Sequence, residues 1–186
     1  MPDIEILRVS GEDLDVLKEL SERTFTETFA SMNTAANMRA YLANEFATEK
    51  LEREWADPDS EFYFALLEQQ VVGYLKVNMG SAQTELQEKH TLEVERIYVL
   101  KEHHGKRLGQ MLLDKAFAIA RERGSDHVWL GVWEANAQAI RFYTKNGFVA
   151  FGKHTFMLGA DAQTDMLMKV GLHPTATGAD TDRISS

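Results

Sequence analysis

The stretch LEVERIYVLKEHHGKRLGQMLL, residues 92–113, decides the fold. Its first part alternates as a strand, placing Glu93, Glu95, Ile97 and Val99 on one face. Its last part opens an amphipathic helix, GQMLLDKAFAIARERG, closed by Gly124. Between the two lies a short polar loop with Gly105, Lys106, Arg107 and Gly109. A helix N-terminus offers free backbone N–H groups and the positive end of a dipole, so a glycine-rich turn ahead of it can hold phosphate. Taken alone, the loop fits a phosphate cradle and a charged helix start equally well. It matches neither the Gly-Lys-Ser/Thr of the nucleotide P-loop nor the dinucleotide G-x-G-x-x-G.

Working outward, IEILRVS alternates as a first strand, and GEDLDVLKELSERTFTETFA carries Leu14, Leu17, Leu20 and Phe25 at helical spacing. NMRAYLANEF and TEKLEREW read as two further helices, the second stopping at Asp57-Pro58. EFYFALLEQQVVGYLKVNM reads as a hairpin turning around Glu68 to Gln70, followed by a polar loop, SAQTELQEKHT. Beyond residue 124, HVWLGVWE is a strand and NAQAIRFYTKNG a helix that starts at Asn136 and ends at Gly147. FVAFGKHTF and TDMLMKV close the pattern as two strands. This order predicts an α/β fold: one mixed, mostly antiparallel twisted sheet of about seven strands with four to five helices, in a single domain over 1–170. Residues 171–186 are polar and without periodicity, and are expected to be disordered.

Composition narrows the function classes. The chain has no cysteine, which excludes disulfides, zinc-thiolate sites and thiol nucleophiles, and its histidines lack metal spacing, so no metal is expected. No apolar run approaches the roughly 20 residues of a membrane span, and MPDIEILRVS does not read as a signal peptide, so a cytoplasmic location without membrane association is expected. The formal charge of −9 is concentrated: residues 1–61 hold fifteen acidic and six basic side chains. By contrast, 101–123 holds six basic and three acidic ones. Solvated helix faces account for such runs; so would an acidic third facing a cationic partner and a basic patch holding an anion. Overall acidity argues against nucleic acid.

With NAQAIRFYTKNGF some thirty residues beyond the loop, the sequence resembles the GNAT family of acetyl-CoA-dependent N-acetyltransferases. The family's loop, Gln/Arg-x-x-Gly-x-Gly/Ala, stands here as His104-Gly105-Lys106-Arg107-Leu108-Gly109, and its second signature as Asn136, Ala139, Phe142-Tyr143 and Gly147-Phe148. NMRAYL, GYLKVN, LEVERIYV, WLGVWE and QTD are similar to the bacterial PaiA-type polyamine acetyltransferases, which act on spermidine and spermine. The resemblance implies a GNAT fold and acetyl-CoA bound through Ile97, Tyr98, Val99, the loop residues 104–109, Asn136, Phe142 and Lys145. It also implies a small-molecule amine as acceptor; a homodimer is left open. Two residues depart from the family, His104 for Gln/Arg and Arg107 for the central Gly. A left-handed backbone would be strained at an arginine; the expectation is that Arg107 already belongs to the helix and that its guanidinium reaches a phosphate.

The transfer chemistry sets the remaining candidates. A primary amine with a pKa of roughly 10 must lose a proton before it attacks a thioester, usually to a carboxylate or through water. Two carboxylates on one strand face suit that task. Within the polyamine branch the base lies at Glu95, with Glu93 as support or water relay. Tyr143 is a core aromatic by pattern; the resemblance makes it the group that hydrogen-bonds the departing thiolate. Asn136 is a helix cap by pattern and a CoA contact by resemblance. The family walls its amine pocket with the first two helices, which makes Glu22, Phe25, Glu27 and Phe29 candidates, with Trp133 and Glu134 beside the same cleft. Competing readings are an acetyltransferase for another small amine (a diamine, amino acid or amino-sugar) and a non-catalytic acyl-CoA-binding regulatory domain.

Overall fold

The computed structural model describes residues 1–85 and 88–172. The elements follow the order β1 (Ile4–Arg8), α1 (Leu14–Phe29), α2 (Ala35–Glu45), α3 (Thr48–Ala56), β2 (Ser60–Leu67), β3 (Gln70–Asn78) and β4 (Thr91–Val99). α4 (Leu108–Glu122), β5 (His127–Trp133), α5 (Ala137–Lys145), β6 (Val149–Leu158) and β7 (Asp161–Gly171) complete the chain. The strands form one sheet in the order β1-β2-β3-β4-β5-β7-β6. Every adjacent pair is antiparallel except β4–β5, which α4 joins as a parallel crossover. The mixed, mostly antiparallel sheet and its five helices match the expectation from sequence.

Local chemistry explains the elements. α4 buries a stripe of Leu108, Leu112, Leu113, Ala116, Ile119 and Ala120 against the sheet, the i, i+4, i+5, i+8, i+11, i+12 pattern of one helix face. Burying one such leucine stabilises by about 1.5–3 kcal/mol. Gly124 stops the helix at φ 68°. The β2–β3 hairpin turns through Glu68 and Gln69, both with positive φ (49° and 66°), the hand that matches strand twist. α5 is capped by Asn136, whose side-chain oxygen accepts the Ala139 N–H at 3.1 Å. β7 runs to Gly171, and the Leu172 N–H bonds the Asp126 carbonyl at 2.9 Å, so these two residues expected in the tail belong to the fold. The disorder expected of the remaining tail, and Leu86–Gln87 of the polar loop, lie outside the described residues.

Two features of β4 position the site. Its pairing with β5 covers only Thr91↔His127 to Glu93↔Trp129; beyond that the strands part and a cleft opens. Its pairing with β3 is broken by a bulge, since Lys76 faces Arg96 while Val77 already faces Val94, which leaves Glu95 as the extra residue. The bulge overturns the expected alternation. Glu93 and Arg96 both lie on the face of Lys76 and Asn78, whereas Val94, Ile97 and Val99 lie opposite.

A second apolar cluster fills the space between α1–α3 and the β6–β7 end of the sheet: Phe25, Phe29, Met38, Phe46, Leu51 and Leu158. Phe25 stacks on Phe29 at 4.3 Å and on Tyr41 at 4.4 Å, and Phe29 meets Trp133 at 4.8 Å. The tip of the β6–β7 hairpin latches onto α2: Asn37 accepts the Ala160 N–H at 3.1 Å, and Gly159 sits so close that a Cβ there would come within 2.7 Å of the Asn37 Cα.

Candidate active site

The loop ahead of α4 winds tightly. Gly105 has φ 80° and Arg107 has φ 66°, and only then does the helix begin at Leu108. Arg107 is therefore left-handed and does not belong to the helix, which corrects the expectation from sequence. Positive φ at 105 and 107 with negative φ between turns successive N–H groups inward, the geometry of an anion nest. No side chain caps α4, so its first N–H groups stay available beside the cavity. The Arg107 side chain makes no hydrogen bond or ion pair with any described residue, and Arg107 lines that cavity. His104 is tied to the end of β4: its Nε2 lies 2.7 Å from the Val99 carbonyl, so Nε2 carries the hydrogen and donates it.

The cavity has a volume of ≈ 460 Å³ and fills the cleft between β4 and β5. Ile97, Tyr98, Val99, His104, Gly105, Arg107, Leu108, Gly109, Asn136, Phe142 and Tyr143 line it. Lys106 and Lys145 do not; Lys106 lies 3.3 Å from His103 Nδ1 instead. A reciprocal amide pair between Gln110 and Asn146 (2.8 and 3.2 Å) ties α4 to the end of α5. That tie brings Tyr143 to the cavity wall. Burial pushes the Tyr143 hydroxyl above its ordinary range.

The two carboxylates of β4 sit in different surroundings. Glu93 is buried and accepts hydrogen bonds from Asn78 Nδ2 (2.9 Å), the Thr84 N–H (2.9 Å) and the Thr84 hydroxyl. Burial first, and then the neighbouring Glu95, raise its carboxyl above the usual range, against the pull of those donors. Burial also pushes Glu95 upward, but the charges of Arg96 and Lys76 and hydrogen bonds from Lys76 and Asn78 outweigh it and hold Glu95 at about 2. One amide serves both, since Asn78 Nδ2 also reaches Glu95 at 3.2 Å while Ser60 Oγ donates to Asn78 Oδ1 at 2.8 Å and fixes its orientation. Lys76 and Arg96 are in turn shared with Glu54 and Glu45 of α3 and α2.

A second cavity, of ≈ 330 Å³, adjoins the first, and Phe29, Glu95, Tyr98, Gly131 and Trp133 line both. Its walls are aromatic (Phe25, Tyr41, Phe46, Trp129, Phe156) and its carboxylates are Glu45, Glu85, Glu93, Glu95 and Asp165. Of the expected acceptor residues, Phe25, Phe29 and Trp133 are in place. Glu22, Glu27 and Glu134 line neither cavity, which corrects the expectation. Glu22 pairs with Lys18, and Glu134 lies 3.9 Å from Lys153. Glu27 accepts the Lys101 backbone N–H at 2.6 Å and pairs with Arg23, so it holds the start of the loop. Tyr41, Glu45, Glu85, His154 and Asp165 were not singled out from sequence, because they come from α2, the loop before β4, β6 and β7 and meet only in the folded chain. Among the described residues no cluster of metal-ligating side chains occurs, and no helix is long and apolar enough to cross a membrane.

Comparison with known proteins adds the context. Residues 17–148 match the model of the Acetyltransferase (GNAT) family. The chain is 39% identical over 172 residues to an N-acetyltransferase of Lactobacillus delbrueckii subsp. lactis, covering 92% of this chain and 99% of that protein. It is 27% identical over 149 residues to the spermidine N(1)-acetyltransferase of Thermoplasma acidophilum, covering 78% and 88%. Its fold is similar to the crystal structure of the PaiA N-acetyltransferase of Thermoplasma acidophilum in complex with coenzyme A, with TM-score 0.73 and 23% identity over 91% of this chain and 99% of that one.

Proposed function

The chain belongs to the GNAT acetyltransferase family, and we propose that it moves the acetyl group of acetyl-CoA onto a primary amine of the polyamine class, by direct attack in a ternary complex. The observation that carries this reading is the junction of two unlike cavities at Glu95, Tyr98 and Gly131. One is headed by an uncapped helix N-terminus, and the other is aromatic and acidic. The likeness to a spermidine acetyltransferase supports the choice of amine. Without cysteine there is no residue to carry an acetyl-thioester, which supports direct transfer.

In this reading the α4 N–H groups and Arg107 hold the pyrophosphate, and the backbone of Ile97–Val99 holds the pantetheine arm. Glu95, ionised at every physiological pH, anchors the reacting ammonium at the junction. A carboxyl held at about 2 is a weak base for an amine of pKa roughly 10. The first proton therefore leaves through water toward Glu93, whose surroundings make it the stronger acceptor. This reverses the division of roles expected from sequence. The amine nitrogen bonds to the acetyl carbon, the C–S bond breaks, and the nitrogen's surplus proton passes through water to the sulfur. A thiol has a pKa of roughly 8.5, and the Tyr143 phenol lies above its ordinary range. Tyr143 thus stabilises the departing sulfur by donating a hydrogen bond without surrendering its proton.

The test is purified protein with acetyl-CoA and an amine panel (spermine, spermidine, a diamine, an amino acid, an amino-sugar), read by CoA release. Turnover confined to the last two would overturn the polyamine assignment, and tight CoA binding without any turnover would favour the regulatory reading. Tyr143→Phe is expected to lower kcat about 100-fold, the scale of one lost transition-state hydrogen bond, with acetyl-CoA affinity little changed. An unaltered kcat would remove Tyr143 from the mechanism.

A further inference from the structure

The carboxylates of the acceptor cavity differ in whether the chain already matches their charge. Glu95 is matched by Lys76, and Glu45 by Lys50 and Arg96, while Glu54 behind them faces Lys76 and Arg96. Glu93 has no cation among the described residues but accepts three hydrogen bonds from Asn78 and Thr84, which leaves its carboxylate one further acceptor position. Glu85 is paired with His154. Asp165 stands apart: half-buried in the cavity wall, it makes no hydrogen bond or ion pair with any described residue.

Its placement is built by the strand order. In β7 it faces Trp133 of β5 on one side and His154 of β6 on the other. Its carboxylate lies near Gly131, where a Cβ would come within 3.2 Å of Oδ2, so the glycine leaves room for it, and of the two cavities Asp165 lines the aromatic one alone. Phe156 and Trp133 flank the same wall, and aromatic faces favour both an alkyl chain and a cation. An unmatched carboxylate in an aromatic cavity calls for a cation from outside.

We propose that Asp165 binds a second, non-reacting ammonium of the acceptor, so that the enzyme selects diamines and polyamines over monoamines. This rests on the reading of the second cavity as the acceptor pocket. The reacting nitrogen lies at Glu95, and the alkyl segment runs along the aromatic wall to Asp165. Burial raises the Asp165 carboxyl to about 6, with Glu85 adding to the rise and His154 opposing it. The charged groups facing it are Glu85 on the loop before β4, His154 on β6, and, across the cavity, Glu93, Glu95 and Arg96 on β4 and Glu45 on α2. Asp165 is neutral below about 6 and ionised above it, so grip on the second ammonium rises as pH climbs through that value.

The test compares 1,4-diaminobutane with butylamine for the wild type, Asp165→Asn and Asp165→Glu, between pH 5 and 8. Turnover is read by CoA release, and binding by calorimetry in the presence of CoA. The wild type is expected to favour the diamine, with its KM falling as pH rises through about 6. Asp165→Asn is expected to cut the diamine-to-monoamine ratio of kcat/KM about tenfold, chiefly through KM, and to flatten that pH dependence; Asp165→Glu restores part of the ratio. Equal losses on both amines, or an unchanged ratio, would overturn the proposal. So would equal binding of the two amines to the wild type. If no amine is acetylated yet calorimetry still shows diamine preference lost in Asp165→Asn, the catalytic reading fails while the Asp165 site stands.

Discussion

Arg107 holds φ 66° without the freedom of glycine, at a cost of about 1–2 kcal/mol for a left-handed L-residue. Its guanidinium, free of any described partner, lines the cleft between β4 and β5. Strain of this kind persists where it serves something, and here a cation is held beside an uncapped helix N-terminus. Arg107→Gly relieves the strain but loses backbone entropy of about 0.5–1 kcal/mol on folding. The net expectation is a Tm unchanged or raised by about 2–4 °C, together with CoA affinity weakened about three- to tenfold, or about 0.7–1.4 kcal/mol. Differential scanning calorimetry and CoA titration check the two halves separately. Tighter CoA binding would mean that the side chain only obstructs the loop. The sequence revealed the loop, its glycines and this departure from the family; it did not reveal the backbone angle, because φ at a non-glycine follows from the turn closing onto α4 and not from residue type.

At the scale of elements, the bulge and the splay of β4 do the work. Period-two reading grouped Glu93 and Glu95 with Ile97 and Val99, as any unbroken strand would. The bulge at Glu95 separates them, sending the carboxylates to the face of Lys76 and Asn78 and the aliphatics to the opposite face, against α4. A bulge adds no residue type of its own to the chain, which is why the alternation concealed it. Elements whose signals are local, such as the α4 stripe, the α5 cap at Asn136 and the β2–β3 turn, were legible. On β5, Gly131 sits just past the last β4–β5 pair and beneath Asp165. Gly131→Ala reduces unfolded-state freedom by about 0.4–1 kcal/mol, while its Cβ, within 3.2 Å of Asp165 Oδ2, crowds that carboxylate. Thermal stability is expected to change little and the KM for a diamine to rise several-fold. An unchanged KM, with Tm also unchanged, would show that the two cavities tolerate a methyl group at their junction.

Across the whole molecule, charge and topology divide the labour. The acidic first third supplies Glu45 to the second cavity and Glu54 to the ion network behind it. Glu22 and Glu27, nearer in sequence to the aromatic residues, are spent on local pairs. Charge bias was thus legible, whereas the assignment of individual carboxylates was not, since Glu45 on α2, Glu85 on the loop before β4 and Asp165 on β7 meet only in the folded chain. With a net charge of −9, encounter with a polycation is expected to be steered by the field of the whole protein. Raising ionic strength from about 0.01 to 0.15 M shortens the Debye length from about 30 to 8 Å. The kcat/KM for spermine should fall several-fold over that range and that for a monoamine much less, measured under identical pH. Equal salt responses would mean that the acidity serves solubility and not capture. The contact of Gly159 with Asn37 bears on the second cavity from a distance. It pins the β6–β7 hairpin, which carries His154, Phe156 and Asp165, to α2, which carries Tyr41 and Glu45. The bore of the cavity is therefore gauged from outside, by a residue that lines neither cavity. A side chain at position 159 would act as a wedge between the two walls, so the calibre of the second cavity can be retuned by evolution or by design while every residue lining it stays the same.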